Sequence, residues 1–148
     1  MKDSFELQRF VDAQAPVYDA VLGELRASRK RTHWMWFVFP QLAGLGHSAM
    51  AERFAIASTS EALAYLAHPV LGPRLRDCTA LVVEVEGRSV TEIFGSPDDL
   101  KLRSSMTLFA LVAPDEPVFD ACLRKYFGGT RDPRTLALIG GGRGASVT

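Results

Sequence analysis

The chain has 148 residues, 47% of them hydrophobic, enough for one domain that buries its own core without a disulfide or a structural metal. Its 17 basic and 17 acidic residues cancel, which argues against a dedicated duplex-DNA binder, since such proteins are basic over a whole face. The longest apolar block, Trp34 to Phe39, falls far short of the roughly 20 residues of a membrane span, and Lys2, Asp3, Glu6 and Arg9 interrupt any secretory core. A cytoplasmic protein with no membrane partner is expected.

The apolar spacing is helical almost throughout and predicts an all-α domain of about seven to nine helices over residues 1–139. Phe5, Leu7, Phe10 and Val11 mark a first helix, with Asp3 and Glu6 as a capping pair. Pro16 opens a second, with Val17, Val21, Leu22 and Leu25 as its stripe. Thr32 is placed to cap a short aromatic helix, which ends near Phe39 because Pro40 disfavours helical geometry before it. A loop from Gln41 to Gly46 follows, then a helix over Ser48 to Ile56. Ser58-x-x-Glu61 and Ser89-x-x-Glu92 are capping boxes, each opening a further helix.

His68-Pro69 separates the first of these from a helix carrying Leu75, Cys78, Leu81, Val82 and Val85, begun at Pro69 or Pro73. The β-branched run Leu81 to Val85 is the one place where a strand competes, and it has no partner strand. Ser96-Pro97-Asp98-Asp99 gives a cap, a first-position proline and first-turn carboxylates for a helix reaching Val112. Pro117 to Phe127 and Pro133 to Ile139 complete the set, with Asp132 as the cap of the last. The glycine-rich 140–148 stretch reads as a flexible tail. Cys78 and Cys122 lie in apolar helical runs and read as buried, reduced side chains.

Three clusters carry candidate chemistry. In the first, Arg29, Lys30 and Arg31 precede Trp34 and Trp36, and the loop through Gln41, Gly44 and Gly46 leads to a helix start at Ser48. Cations can hold phosphate, an indole face can stack a base, and glycines let backbone amides approach an anion. The same residues read otherwise as core anchors beside a solvated helix end. In the second, Lys101, Ser104 and Ser105 share a helix face with Asp98 at three- and four-residue spacing, so a lysine and two hydroxyls could orient a phosphorylated or hydroxylated ligand. For cleavage of an N-glycosidic bond, Asp98 or Asp99 is the candidate carboxylate and His33 the candidate proton carrier. An ordinary wet helix face is the competing reading. In the third, Arg124, Arg131 and Arg134 could add to the first basic patch. No Walker loop, GxGxxG, HExxH or GxSxG is present, and no cofactor or metal is expected from ligand spacing.

Arg29-Lys30-Arg31-Thr32-His33-Trp34-Met35-Trp36-Phe37, the loop Phe39-Pro40-Gln41 to Gly46, His68-Pro69-Val70-Leu71-Gly72, Asp98 to Lys101 and Ser104 to Phe109 together resemble the bacterial family called domain of unknown function 1810. The resemblance spans Phe5 to Leu138 and implies an all-α single domain with no established activity. Its members are sometimes labelled calpastatin-like, but that inhibitor class works as a disordered segment, whereas this chain has the pattern of a packed domain. The basic-aromatic entry, with Lys101, Arg103, Met106 and Lys125-Tyr126-Phe127, bears a partial resemblance to helical domains proposed to process NAD-derived or ADP-ribose compounds. The expected function is binding, with hydrolysis a further option, of a phosphorylated nucleotide-like molecule. The alternative is a non-enzymatic protein- or RNA-interaction module built on exposed Trp34 and Trp36.

Overall fold

The computed structural model describes residues 3–142, and within them the chain forms ten helices, seven of them with at least seven residues. They are α1 (Gln8–Gln14), α2 (Tyr18–Arg26), α3 (Met35–Val38), α4 (Ala49–Arg53), α5 (Thr59–Ala67), α6 (Leu71–Glu84), α7 (Val90–Phe94), α8 (Asp98–Val112), α9 (Pro117–Phe127) and α10 (Pro133–Gly142). Among the described residues no strand forms. One isolated parallel bridge joins Leu42 to Ile56, and Leu81 to Glu84 continue α6 as helix. The fold is all-α, as the periodicity requires.

Local chemistry sets most of the helix ends. Ser89 and Glu92 make a complete capping box on α7, and Gly95 closes that helix at φ 75°. Ser58 Oγ accepts from Glu61 N at the start of α5, and Asp3 accepts from Leu7 N and Gln8 N ahead of α1. Asp132 caps α10 by accepting from Thr135 N at 2.9 Å. Other ends differ from the pattern. Thr32 does not cap α3, because its hydroxyl instead donates to Glu24 Oε2 at 2.6 Å. Pro97, not Ser96, is the residue at the N-cap of α8, and it offers no side-chain bond. At α6 the start falls at Leu71, where His68 Nδ1 accepts from Val70 N and Leu71 N. The last helix runs through Gly142, three residues past the expected end at Ile139; the remainder of the proposed tail, 143–148, lies outside the described residues.

The centre of the molecule is α8. Every residue from Ser104 to Ala110 is buried, so this half of the helix is enclosed on all sides, as a bundle's middle helix must be. It packs on α5, α7, α9 and α10. Phe109 links Tyr65 of α5 to Phe119 of α9 with centroids 5.7 Å apart on each side. A second aromatic group, Trp34, Phe39 and Phe94, seals α3 against α7. The α5–α6 corner is tight enough to demand glycine: a Cβ on Gly72 would stand 2.1 Å from the Leu66 carbonyl oxygen.

Candidate functional site

The first half of α8 carries Leu100 and Lys101 outward, preceded by Pro97, and the buried Ser104 follows them at the end of the same helical stripe. Opposite stand the loop residues Gln41, Leu45 and Gly46, and Asp132 and Arg134 at the start of α10 close the third side. With Arg103 these residues line a groove of about 330 Å³. The loop wall is pinned, because Gln41 O accepts from Ile56 N and Ala43 N donates to Ile56 O, both at 2.8 Å. Gly46 brings the loop against α4, where an added Cβ would lie 2.8 Å from Ala51 Cβ.

Behind this wall Lys30 and Lys101 meet across one carboxylate. Lys30 Nζ is 2.9 Å from Asp98 Oδ2, and Lys101 Nζ is 3.3 Å from Asp98 Oδ1. Lys101 also lies 5.0 Å from the centre of the half-buried Trp36 ring, and Lys30 lies 5.1 Å from that of Trp34. The cationic turn and the later helix therefore do come together, through Lys30, Asp98, Lys101 and Trp36.

Several proposed ligand contacts fail on geometry. Trp34 is 1% exposed and donates its indole N–H to Glu24, so no face is free to stack a base. This removes one of the two rings of the interaction-module reading. Ser105 is fully buried and cannot reach a ligand in the groove. The Lys30 ammonium is spent on Asp98 and on the Thr32 carbonyl, with its side chain 7% exposed. Arg29, Arg31 and His33 are exposed and are not among the groove's lining residues. Ser48 caps α4, and Gly44 (φ 100°) faces Leu138 instead of the groove. Both Asp98 oxygens are held by ammonium groups, while Asp99 accepts from Thr91 Oγ1 and from Leu100 N, which leaves neither placed to act on a molecule in the groove. Of the proposed contacts, Gln41, Gly46, Lys101 and Ser104 line the groove.

The sequence reading missed Arg103 as a lining residue. Arg134, one of the arginines that could add to the first basic patch, lines the same groove as Gln41 and Gly46 of the first cluster and Lys101 of the second. Glu24 was missed altogether, although it organises the cationic turn. Burial opposes its charge, but hydrogen bonds from Thr32 Oγ1, Arg31 N, Trp34 Nε1 and Thr32 N outweigh that and bring its pKa down to about 2. Burial pushes both thiols, Cys78 and Cys122, up to about 12, so neither is a nucleophile at neutral pH. Among the described residues no group of three or more His, Cys, Asp or Glu side chains is placed to hold a metal ion, and no helix is long and apolar enough to cross a membrane.

What fold and site define together is an all-α domain with a cation-lined groove along its central helix. The chain belongs to the family described as Protein of unknown function (DUF1810), which matches residues 4–139. It is similar to the conserved hypothetical protein Rv1873 from Mycobacterium tuberculosis, known from a crystal structure, at 60% identity. That similarity covers 99% of this chain and 100% of the other, with a TM-score of 0.92. No curated protein matches the chain. A domain packed around Trp34, Tyr65 and Phe109 gives the calpastatin-like label no support.

Proposed function

We propose that the groove between α8, the Gln41–Gly46 loop and the start of α10 binds a phosphorylated nucleotide-like small molecule, such as an NAD or ADP-ribose derivative. The observation that carries this reading is the groove's charge. Lys101, Arg103 and Arg134 line it; Lys101 shares Asp98 with Lys30, and the single lining carboxylate, Asp132, has one oxygen committed to Thr135 and the other 3.5 Å from Arg103, so cations outnumber anions. Clustered cations facing a concavity repel one another unless an anion joins them. Gln41 adds a polar group for ligand hydroxyls, Ser104 Oγ donates to Leu100 O and keeps only acceptor capacity, and Trp36 is the ring coupled to the groove through Lys101. Nothing in the geometry favours hydrolysis, since the candidate acids are engaged elsewhere.

The test is thermal unfolding of the purified protein with NAD, ADP-ribose, AMP and ribose 5-phosphate, with Trp36 emission followed in parallel. A ligand present at a hundred times its Kd stabilises by about 2.7 kcal/mol, a readily measured rise in Tm. A flat response across the set refutes the reading.

A further inference from the structure

Two arginines of this fold are used in opposite ways. Arg9 is saturated: Nε donates to Arg53 O at 2.8 Å, Nη1 to Phe5 O and Glu6 O, and Nη2 to Ala55 O and Glu61 Oε2. It latches the chain's start to α5 and has nothing left to offer a ligand. Arg103, on the groove wall, has Nη2 3.5 Å from Asp132 Oδ1, beyond the length of a charge-assisted hydrogen bond. Its Nε is sealed from solvent and has no hydrogen-bond partner among the described residues. A guanidinium carries five N–H donors; here Nε is the one cut off from water, and leaving it unpaired is costly.

Asp132 is held at that distance from both ends. Its Oδ2 accepts from Thr135 N at 2.9 Å and Thr135 Oγ1 at 2.6 Å, and its backbone N–H donates to Thr107 Oγ1 at 2.9 Å. Movement of the internal carboxylate toward Arg103 therefore pulls against the α10 cap.

Charge then selects the ligand. Lys101, Arg103 and Arg134 against Asp132 leave the groove with two excess positive charges, and the Lys30–Asp98 pair behind it adds none. A phosphate monoester carries about −1.5 to −2 at neutral pH, whereas a diester or a carboxylate carries one charge. The volume, about 330 Å³, lies near the lower end of the roughly 300–1,000 Å³ of small-molecule clefts, which suits one phosphorylated sugar or mononucleotide better than a dinucleotide.

We infer that the groove recognises a terminal phosphate monoester, with Arg103 as the two-pronged anchor of the phosphoryl oxygens and Asp132 as the internal acid that the ligand outcompetes. This rests on the proposed function and narrows it.

Titration calorimetry with AMP, cyclic 3′,5′-AMP and adenosine separates the possibilities, because base and ribose stay the same while the phosphate changes from dianion to monoanion to none. AMP is expected to bind at least about tenfold tighter than the cyclic diester, and adenosine not at all. Arg103→Lys keeps the charge but loses the fork, and lowers AMP affinity at least about tenfold. Asp132→Asn keeps a capping oxygen, removes the competing charge and raises AMP affinity. The wild-type protein supplies a readout independent of any variant's folding: AMP affinity falls severalfold from pH 7 to pH 5, as the phosphate's second proton returns near pH 6, while cyclic AMP affinity stays level. Equal binding of AMP and cyclic AMP, or a level AMP profile over that range, overturns the monoester assignment. Binding of NAD or ADP-ribose but not AMP overturns it while leaving the broader function intact. Silence across all these compounds removes both.

Discussion

Replacing Glu24 by alanine is expected to cost about 2–3 kcal/mol of stability, and the structure says where that comes from. Its carboxylate accepts four hydrogen bonds: from Arg31 N at 2.7 Å, Thr32 N at 3.0 Å, Thr32 Oγ1 at 2.6 Å and Trp34 Nε1 at 2.9 Å. The three Arg31 and Thr32 donors lie at the surface and can turn to water, so losing them costs only about 0.5 kcal/mol or less each. Trp34 is 1% exposed, and its stranded N–H carries the larger part, about 1–3 kcal/mol. Glu24→Gln keeps an oxygen for the indole but turns an amine toward Thr32, and about 1–2 kcal/mol is expected, a figure already reduced for the carboxylate's partial exposure.

The pH dependence has a definite sign. The folded pKa of Glu24, about 2, lies below its ordinary 4.5, so its contribution is fully present above about pH 4.5 and is lost as pH falls toward 2. The wild-type minus Gln difference removes what the two proteins share and leaves this group's contribution. Urea unfolding at stepped pH, read as the midpoint at constant m, measures it. A gap below about 0.5 kcal/mol at pH 7, or one that does not narrow between pH 5 and pH 2.5, refutes the assignment.

Two further outcomes are expected. Gly72→Ala places a methyl group 2.1 Å from the backbone oxygen of Leu66, which no rotamer change relieves; a loss toward or beyond the upper end of the usual 1–3 kcal/mol for overpacking should appear in urea unfolding, and a wild-type midpoint would show that α5 and α6 are not in this register. A thiol reagent at pH 8 should modify neither Cys78 nor Cys122 in the native protein and both in denaturant, because each is fully buried with its pKa raised to about 12; rapid native labelling of either contradicts the packing around it.

Helices are legible in this sequence because their signals are local. Ser89 and Glu92 sit three residues apart and bond each other's backbone, and Gly95 and Gly128 both take positive φ where a helix must stop. The end of α2 is harder to read, since Ser28 takes the left-handed position (φ 62°) that glycine usually fills. The site is only half legible for the same reason. Lys101 and Ser104 share a stripe within one helix, so spacing finds them. Arg103 lies between them in sequence but off their stripe, and what places it on the groove beside Asp132, which precedes α10, is tertiary packing that spacing does not record. Trp34 and Trp36 look alike on paper. Which of the two turns inward depends on Glu24 and on Phe94, residues that no periodicity connects to them.

One consequence follows from the double use of α8. Its residues from Ser104 to Ala110 are enclosed on every side, whereas ahead of them Leu100 stands exposed and Lys101 and Arg103 keep partial solvent contact. Recognition and folding thus share a single segment, and Leu100 is its letter left freest of the second task. An engineer could exchange Leu100 to suit a different guest, and the frame holding it would stay where it is.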